Sequence, residues 1–181
     1  MAIQEIAQAS TIATETCTAA GDWIPAIAAV LGALVGALAA FIPNIIVEKH
    51  RRKSEADLVE ASLIAEMTAL TEVAKERRYM SLLEEVIAQL QQQPAGTTVQ
   101  FATNVPPHYS RVYQANAHRI GLIDKDKATD IIRFHQFIDA VVQDVTEGGV
   151  LYSGGHLQAF MENHQILSRA FAISAKYGSR T

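Results

Sequence analysis

The sequence predicts an all-α protein, with a single N-terminal transmembrane helix followed by a cytoplasmic helical bundle of about four helices. Three observations carry that expectation. A charge-free apolar run extends from Trp23 to Val47. A cluster of cations follows it directly. Beyond the cluster, apolar residues recur at steps of three and four between breaks marked by Gly and Pro.

Composition sets the outer bounds. The chain has 181 residues, is 49% hydrophobic and 19% charged, and so is too apolar to be disordered throughout. The net charge of −4 gives no global reason to expect nucleic acid as a partner. Residues 1–22 carry Glu5, Glu15 and Asp22 and no Lys or Arg, and they read as an extracytoplasmic tail. The block Glu48-Lys49-His50-Arg51-Arg52-Lys53 concentrates the cationic excess. Cys17 is the one cysteine, which excludes an internal disulfide and leaves either an unpaired thiol or a cross-link to a second chain.

The run at 23–47 suits a membrane at both edges. About 20 apolar helical residues cross the hydrocarbon core. Asp22 can cap the helix, Pro25 falls in its first turn, and Trp23 suits the interface. Lys49, Arg51, Arg52 and Lys53 supply the positive-inside signal and contacts to lipid headgroups. The N-terminus is therefore expected outside and the rest in the cytoplasm, which places the chain in the cell's inner membrane. A cleaved signal peptide would need a basic segment before the run, and there is none. Ala28, Gly32, Gly36 and Ala40 form a small-residue face of the kind that lets spanning helices pack closely. Pro43 is a candidate hinge near the cytoplasmic end, and Asn44 is expected at the interface.

Residues 48–93 follow as a basic juxtamembrane and amphipathic segment. Val59, Leu63, Met67, Leu70 and Val73, then Leu83, Val86, Ile87 and Leu90, mark its apolar stripe. The charges from Lys75 to Arg78 interrupt the stripe, leaving one helix or two with a bend. Residues 94–107, with Pro94, Gly96, Pro106 and Pro107, form a loop with a short extended stretch at best over Val99–Ala102.

The helical domain at 108–181 starts with a short helix over His108–Ile120, for which Gly121 is the C-cap. Asp124 caps the next helix, whose buried face is Ile131, Phe134, Ile138, Val141, Val142 and Val145. Gly148-Gly149 stops it, and Ser153-Gly154-Gly155 makes a turn. A last helix over His156–Tyr177 directs Leu157, Phe160, Met161, His164, Leu167 and Phe171 inward.

Chemistry is sparse. No phosphate-cradling glycine loop is present. The six histidines lack zinc-helix spacing, so no metal, cofactor or catalytic residue is assigned. His135 and His164 lie beside apolar positions and read as core or boundary histidines. Glu84-Glu85, and Asp139 with Asp144, read as solvated faces, and Asp124 to Lys127 as a locally paired first turn.

The segment Val112-Tyr113-Gln114-Ala115-Asn116-Ala117-His118-Arg119-Ile120-Gly121-Leu122-Ile123, with the Ile131-Ile132-Arg133-Phe134 helix start, resembles a segment of small bacterial membrane proteins of no assigned activity. The likeness covers about residues 24–146. It implies one N-terminal span, a helical domain and a bacterial inner-membrane setting, and nothing catalytic. The Ala- and Gly-rich span departs from that pattern. Taken together, the expected function is a membrane-anchored interaction module or accessory subunit, a homo-oligomer or a membrane-protein partner's subunit. The alternative is a gated membrane effector of toxin or defence type, whose cytoplasmic domain senses a ligand or partner.

Overall fold

Helix dominates the protein, and no strand occurs among the described residues, which is the all-α class expected. The computed structural model describes residues 23–178, with side chains described throughout except at 23–26 and 38–44. The chain divides into two compact units at Arg51–Arg52. The tail at 1–22, with Cys17, lies outside the described residues, as do the side chains of Trp23, Pro25, Ala40, Pro43 and Asn44.

Helix α1 spans Trp23–Glu76. Its backbone stays helical through the Pro43 position. In the first unit Ile27, Val30, Leu31, Leu34 and Val35 are exposed, as are Ile45, Ile46 and Val47. A Cβ built on Gly32 or Gly36 meets nothing within 4 Å. Among the described residues, no helix is long and apolar enough to cross a membrane. The side chains at 38–44, within the apolar run from Trp23 to Val47, lie outside the described residues.

The second unit is a helical bundle. Val59, Leu63 and Met67, four residues apart on α1, are 3%, 0% and 1% exposed and form one wall of its core. The charged interruption of the stripe is a true break. Arg78 adopts a left-handed conformation, with φ 55° and ψ 33°, and α2 restarts at Tyr79 and runs to Gln91. Two helices with a sharp bend therefore occupy the segment. Leu83 and Leu90 face the core from α2, while Val73, expected inward, is 51% exposed.

A strap without regular structure then crosses the bundle. Val99 and Gly155 exchange both backbone hydrogen bonds, each at 2.9 Å, in an isolated bridge. The Phe101 N–H donates to the Leu151 carbonyl (2.8 Å) and the Thr103 N–H to the Val145 carbonyl (3.1 Å). Such carbonyls near helix C-termini have no partner within their own helix, so the strap satisfies groups the helices leave open. Phe101 also meets Phe160 edge-to-face at 6.1 Å.

Helix α3 (Arg111–Asn116) is shorter than expected. It passes into a 3-10 turn over Ala117–Leu122 that includes Gly121, expected as a cap. Asn116 Nδ2 donates back to the Val112 carbonyl at 2.9 Å. Helix α4 (Lys125–Val145) begins as expected, with Asp124 accepting from the N–H groups of Asp126 and Lys127. Lys127 reaches Glu60 of α1 instead of pairing locally. The Ser153 turn is the end of a short helix, α5 (Val150–Gly154), held by Gly149. A Cβ on Gly149 would lie 2.1 Å from the Gln143 carbonyl oxygen, so only glycine fits there.

Helix α6 (Leu157–Gly178) packs on α2 and α4. Its buried face is Ala159, Phe160, Asn163, Leu167, Ala170, Ile173 and Ser174. Met161, expected inward, is 45% exposed. Small residues at 159, 170 and 174 bring the neighbouring helices close. Asp130 of α4 accepts from Lys176 Nζ (3.0 Å) and the Tyr177 hydroxyl (2.9 Å) of α6. Its partial burial raises the carboxyl, and these two donors outweigh that and hold it below its ordinary value.

Leu63 is fully enclosed, so Leu63→Ala should cost about 2–5 kcal/mol, read as a lowered denaturant midpoint. A loss under about 1 kcal/mol would mean that the α1 wall is not core.

Candidate functional site

Two features of the second unit could carry function: a buried polar node and an apolar cavity. The node is centred on Glu66, 9% exposed on the inner face of α1. Its Oε1 accepts from the Val112 N–H at 2.7 Å, and its Oε2 from the Tyr113 N–H at 2.8 Å. These donors belong to the first turn of α3. The Ser110 side chain at the N-cap makes no capping bond there. A carboxylate from a distant helix thus does the work that a local Ser or Asp usually does, with charge favourable to the helix dipole.

His135 of α4 completes the node at 1% exposure. Its Nδ1 lies 2.9 Å from the Ile131 carbonyl and donates there, the common arrangement for a helical histidine. Its Nε2 lies 3.3 Å from Glu66 Oε2. The Tyr113 ring stacks on the imidazole, with centroids 3.9 Å apart and planes 10° from parallel. Burial, the largest influence, pushes the imidazole below its ordinary pKa. The Ile131 carbonyl and the Glu66 carboxylate pull it part of the way back. The node ties α1, α3 and α4 together at one buried point, as a structural clamp. His135 is the core histidine expected.

The cavity lies beside the Arg78 break and measures about 270 Å3. Its apolar lining includes Leu70, Val73 and Ala74 of α1, Leu83 of α2, Val141 and Val142 of α4, and Leu167 of α6. The strap closes one side through Phe101, Thr103, Asn104, Val105 and Pro106, with Tyr109 beyond it. Arg77 stands at the rim, exposed. The cavity lining was not legible in advance, because residues 101–109 read as loop and no local signal says where a loop will lie.

Two carboxylates expected in solvent are instead tied inward. Asp139 accepts from the Tyr109 hydroxyl, and burial raises its carboxyl above the ordinary value. Asp144 accepts from Asn163 Nδ2 at 2.8 Å. Asn163 is 2% exposed, and its Oδ1 has no protein partner. His164, expected inward, sits at the boundary with Nε2 3.1 Å from Glu84. Among the described residues no group of three His, Cys, Asp or Glu side chains stands close enough to hold a metal ion.

Where their side chains are described, the residues singled out near the apolar run are exposed. Ala28, Gly32 and Gly36 are exposed on α1 of the first unit. Lys49, Arg51, Arg52 and Lys53 are exposed as well, with Arg51 3.0 Å from Glu48 one turn earlier.

Two outcomes test the node. Glu66→Ala leaves two enclosed N–H groups without their acceptor and should cost roughly 1–3 kcal/mol, with faster amide exchange at Val112 and Tyr113. Unchanged exchange would dismiss the capping role. The second concerns pH. An unfolded histidine takes up a proton near pH 6.5, and the buried His135 resists. Below that pH the unfolded chain binds more protons, so stability falls as pH drops. Chemical denaturation of His135→Gln should show a smaller loss than wild type between about pH 7 and pH 5. Equal losses would assign the effect to another group.

Compared with known protein families, curated proteins and solved structures, the chain matches none of them.

Proposed function

We propose that the protein is a membrane-anchored helical interaction module. Residues 23–47 would span the inner membrane, with the N-terminus outside and the bundle in the cytoplasm. The observation that carries this reading is the apolar run itself. It has no charged residue from Trp23 to Val47 and four cations within the next six residues. The exposure of Ile27, Val30, Leu31, Leu34 and Val35 fits a helix whose solvent is lipid. The resemblance to small bacterial membrane proteins points the same way.

Self-association is the second part of the proposal. Ala28, Gly32, Gly36 and Ala40 would let two spans approach closely, and open space surrounds the two glycines. The partner is a second copy or the span of a membrane protein. Membrane lipids, through Lys49, Arg51, Arg52 and Lys53, are the other contact. Enzymatic activity is not part of the proposal, since the buried histidine and its carboxylate face no opening.

A gated membrane effector is the second reading, favoured by the cavity. Three residues of its wall belong to α1, the helix that also contains the apolar run. Expression that leaves growth and membrane potential unchanged while a cavity ligand is supplied would count against it.

Cys17 makes the topology testable without new cysteines. A membrane-impermeant maleimide should label it in intact cells, and carbonate should fail to extract the protein. Absence of labelling in intact cells with full labelling after lysis, or release by carbonate, would reject the anchored topology. Gly32→Leu and Gly36→Leu should reduce in-membrane cross-linking several-fold, because each puts a side chain where backbones would meet. Undiminished cross-linking would mean that this face touches only lipid.

A further inference from the structure

We propose that the cavity beside the α1–α2 break is a binding site for an anionic amphiphile, a molecule with a compact apolar body and one carboxylate. The inference needs no membrane span and stands apart from the anchoring proposal.

Size comes first. At about 270 Å3 the cavity is roughly twice the ~150 Å3 that accepts benzene in an apolar core. It sits at the small end of ligand sites, which run from about 300 Å3 upward. A medium-length alkyl chain or a bicyclic aromatic fits this space. A whole membrane lipid with two long chains does not.

Chemistry comes second. Leu70, Ala74, Leu83, Val141 and Val142 offer nothing to hydrogen-bond, so the body of the ligand is apolar. Among the lining residues described, Arg77 is the one with a formal charge, and no Asp or Glu lines the wall. The Arg77 guanidinium donates from Nη1 to the Tyr79 hydroxyl at 3.2 Å, and among the described residues it has no carboxylate partner. Its neighbour Arg78 is paired, 3.5 Å from Glu85. A planar guanidinium at the rim of an apolar hole suits a carboxylate head by forked hydrogen bonding.

Conformation comes third. Arg78 is the one non-glycine residue with positive φ among those described, and its turn holds Arg77 at the rim and Tyr79 on the wall. Strained backbone of this kind marks sites where a particular placement matters.

Photolabelling of the full-length chain in nanodiscs of neutral phosphatidylcholine tests this. The probes are a diazirine-bearing decanoate and the matching diazirine-bearing decanol, with adducts mapped by peptide mass spectrometry. The decanoate probe should label peptides containing Leu70–Ala74 and Val141–Val142, and excess decanoate should compete. Arg77→Gln should lower decanoate labelling there at least several-fold and leave decanol labelling unchanged. Val141→Phe, which fills the hole from α4, should abolish both, and Leu70→Phe, which fills it from α1, should repeat the result if the first variant unfolds. Adducts confined to residues 23–47, labelling indifferent to Arg77, or labelling that survives both filled variants would each overturn the assignment. Loss of the anchored topology would leave these readouts intact, since the same labelling runs in plain buffer.

Discussion

The bundle depends on a carboxylate placed where few proteins place one, inside the core beneath the start of a short helix. Glu66 leaves α1 among Leu63 and Met67, and its two oxygens accept from the Val112 and Tyr113 N–H groups in the first turn of α3. Six residues of helix cannot support themselves in water, because nucleation costs more than a single turn returns. The Glu66 contact gives α3 a fixed start, and the Tyr113 ring stacks on His135 beside it. Three elements far apart in sequence thus meet at one polar point. A buried charge without such donors would be strongly unfavourable, so this point tolerates little variation in geometry.

The same logic of meeting backbone demands explains the strap. Residues 97–107 form no regular element, yet three of their N–H groups reach carbonyls at Val145, Leu151 and Gly155. A segment that fills such positions cannot also follow the helices closely along its whole length. Between the strap, the end of α1 and the start of α2 a gap remains, and apolar side chains line it. The left-handed turn at Arg78 lies between two residues of that lining, Arg77 and Tyr79.

Charge on this molecule is arranged at two scales. Pairs such as Glu55–Arg119, Glu60–Lys127 and Asp130–Lys176 join helices at the edge of the core. They are partly exposed, so they contribute more to register than to stability. The cationic cluster at 49–53 belongs to a different pattern, confined to a few consecutive residues after the apolar run. Its reading as a membrane boundary rests on that adjacency.

The sequence by itself determined the helical class, the placement of most breaks and much of the core. These follow from local rules. Period 3.6 repeats select Val59, Leu63, Met67, Ile131, Phe134 and Leu167, and Asp124 caps its own helix two and three residues on. The tertiary structure alone decided the features that depend on distant partners. Asp139 and Asp144 turned inward because Tyr109 and Asn163 offered donors. Met161 turned outward because Ala159, Asn163 and Ala170 define a face rotated from the one its apolar neighbours suggest. The Glu66 cap joins positions 46 residues apart, and the cavity is lined from five segments: α1, α2, the strap, α4 and α6. Local sequence specifies which residues prefer burial, but only packing specifies which neighbours they find, because hydrogen-bond partners and empty space are properties of the assembled chain.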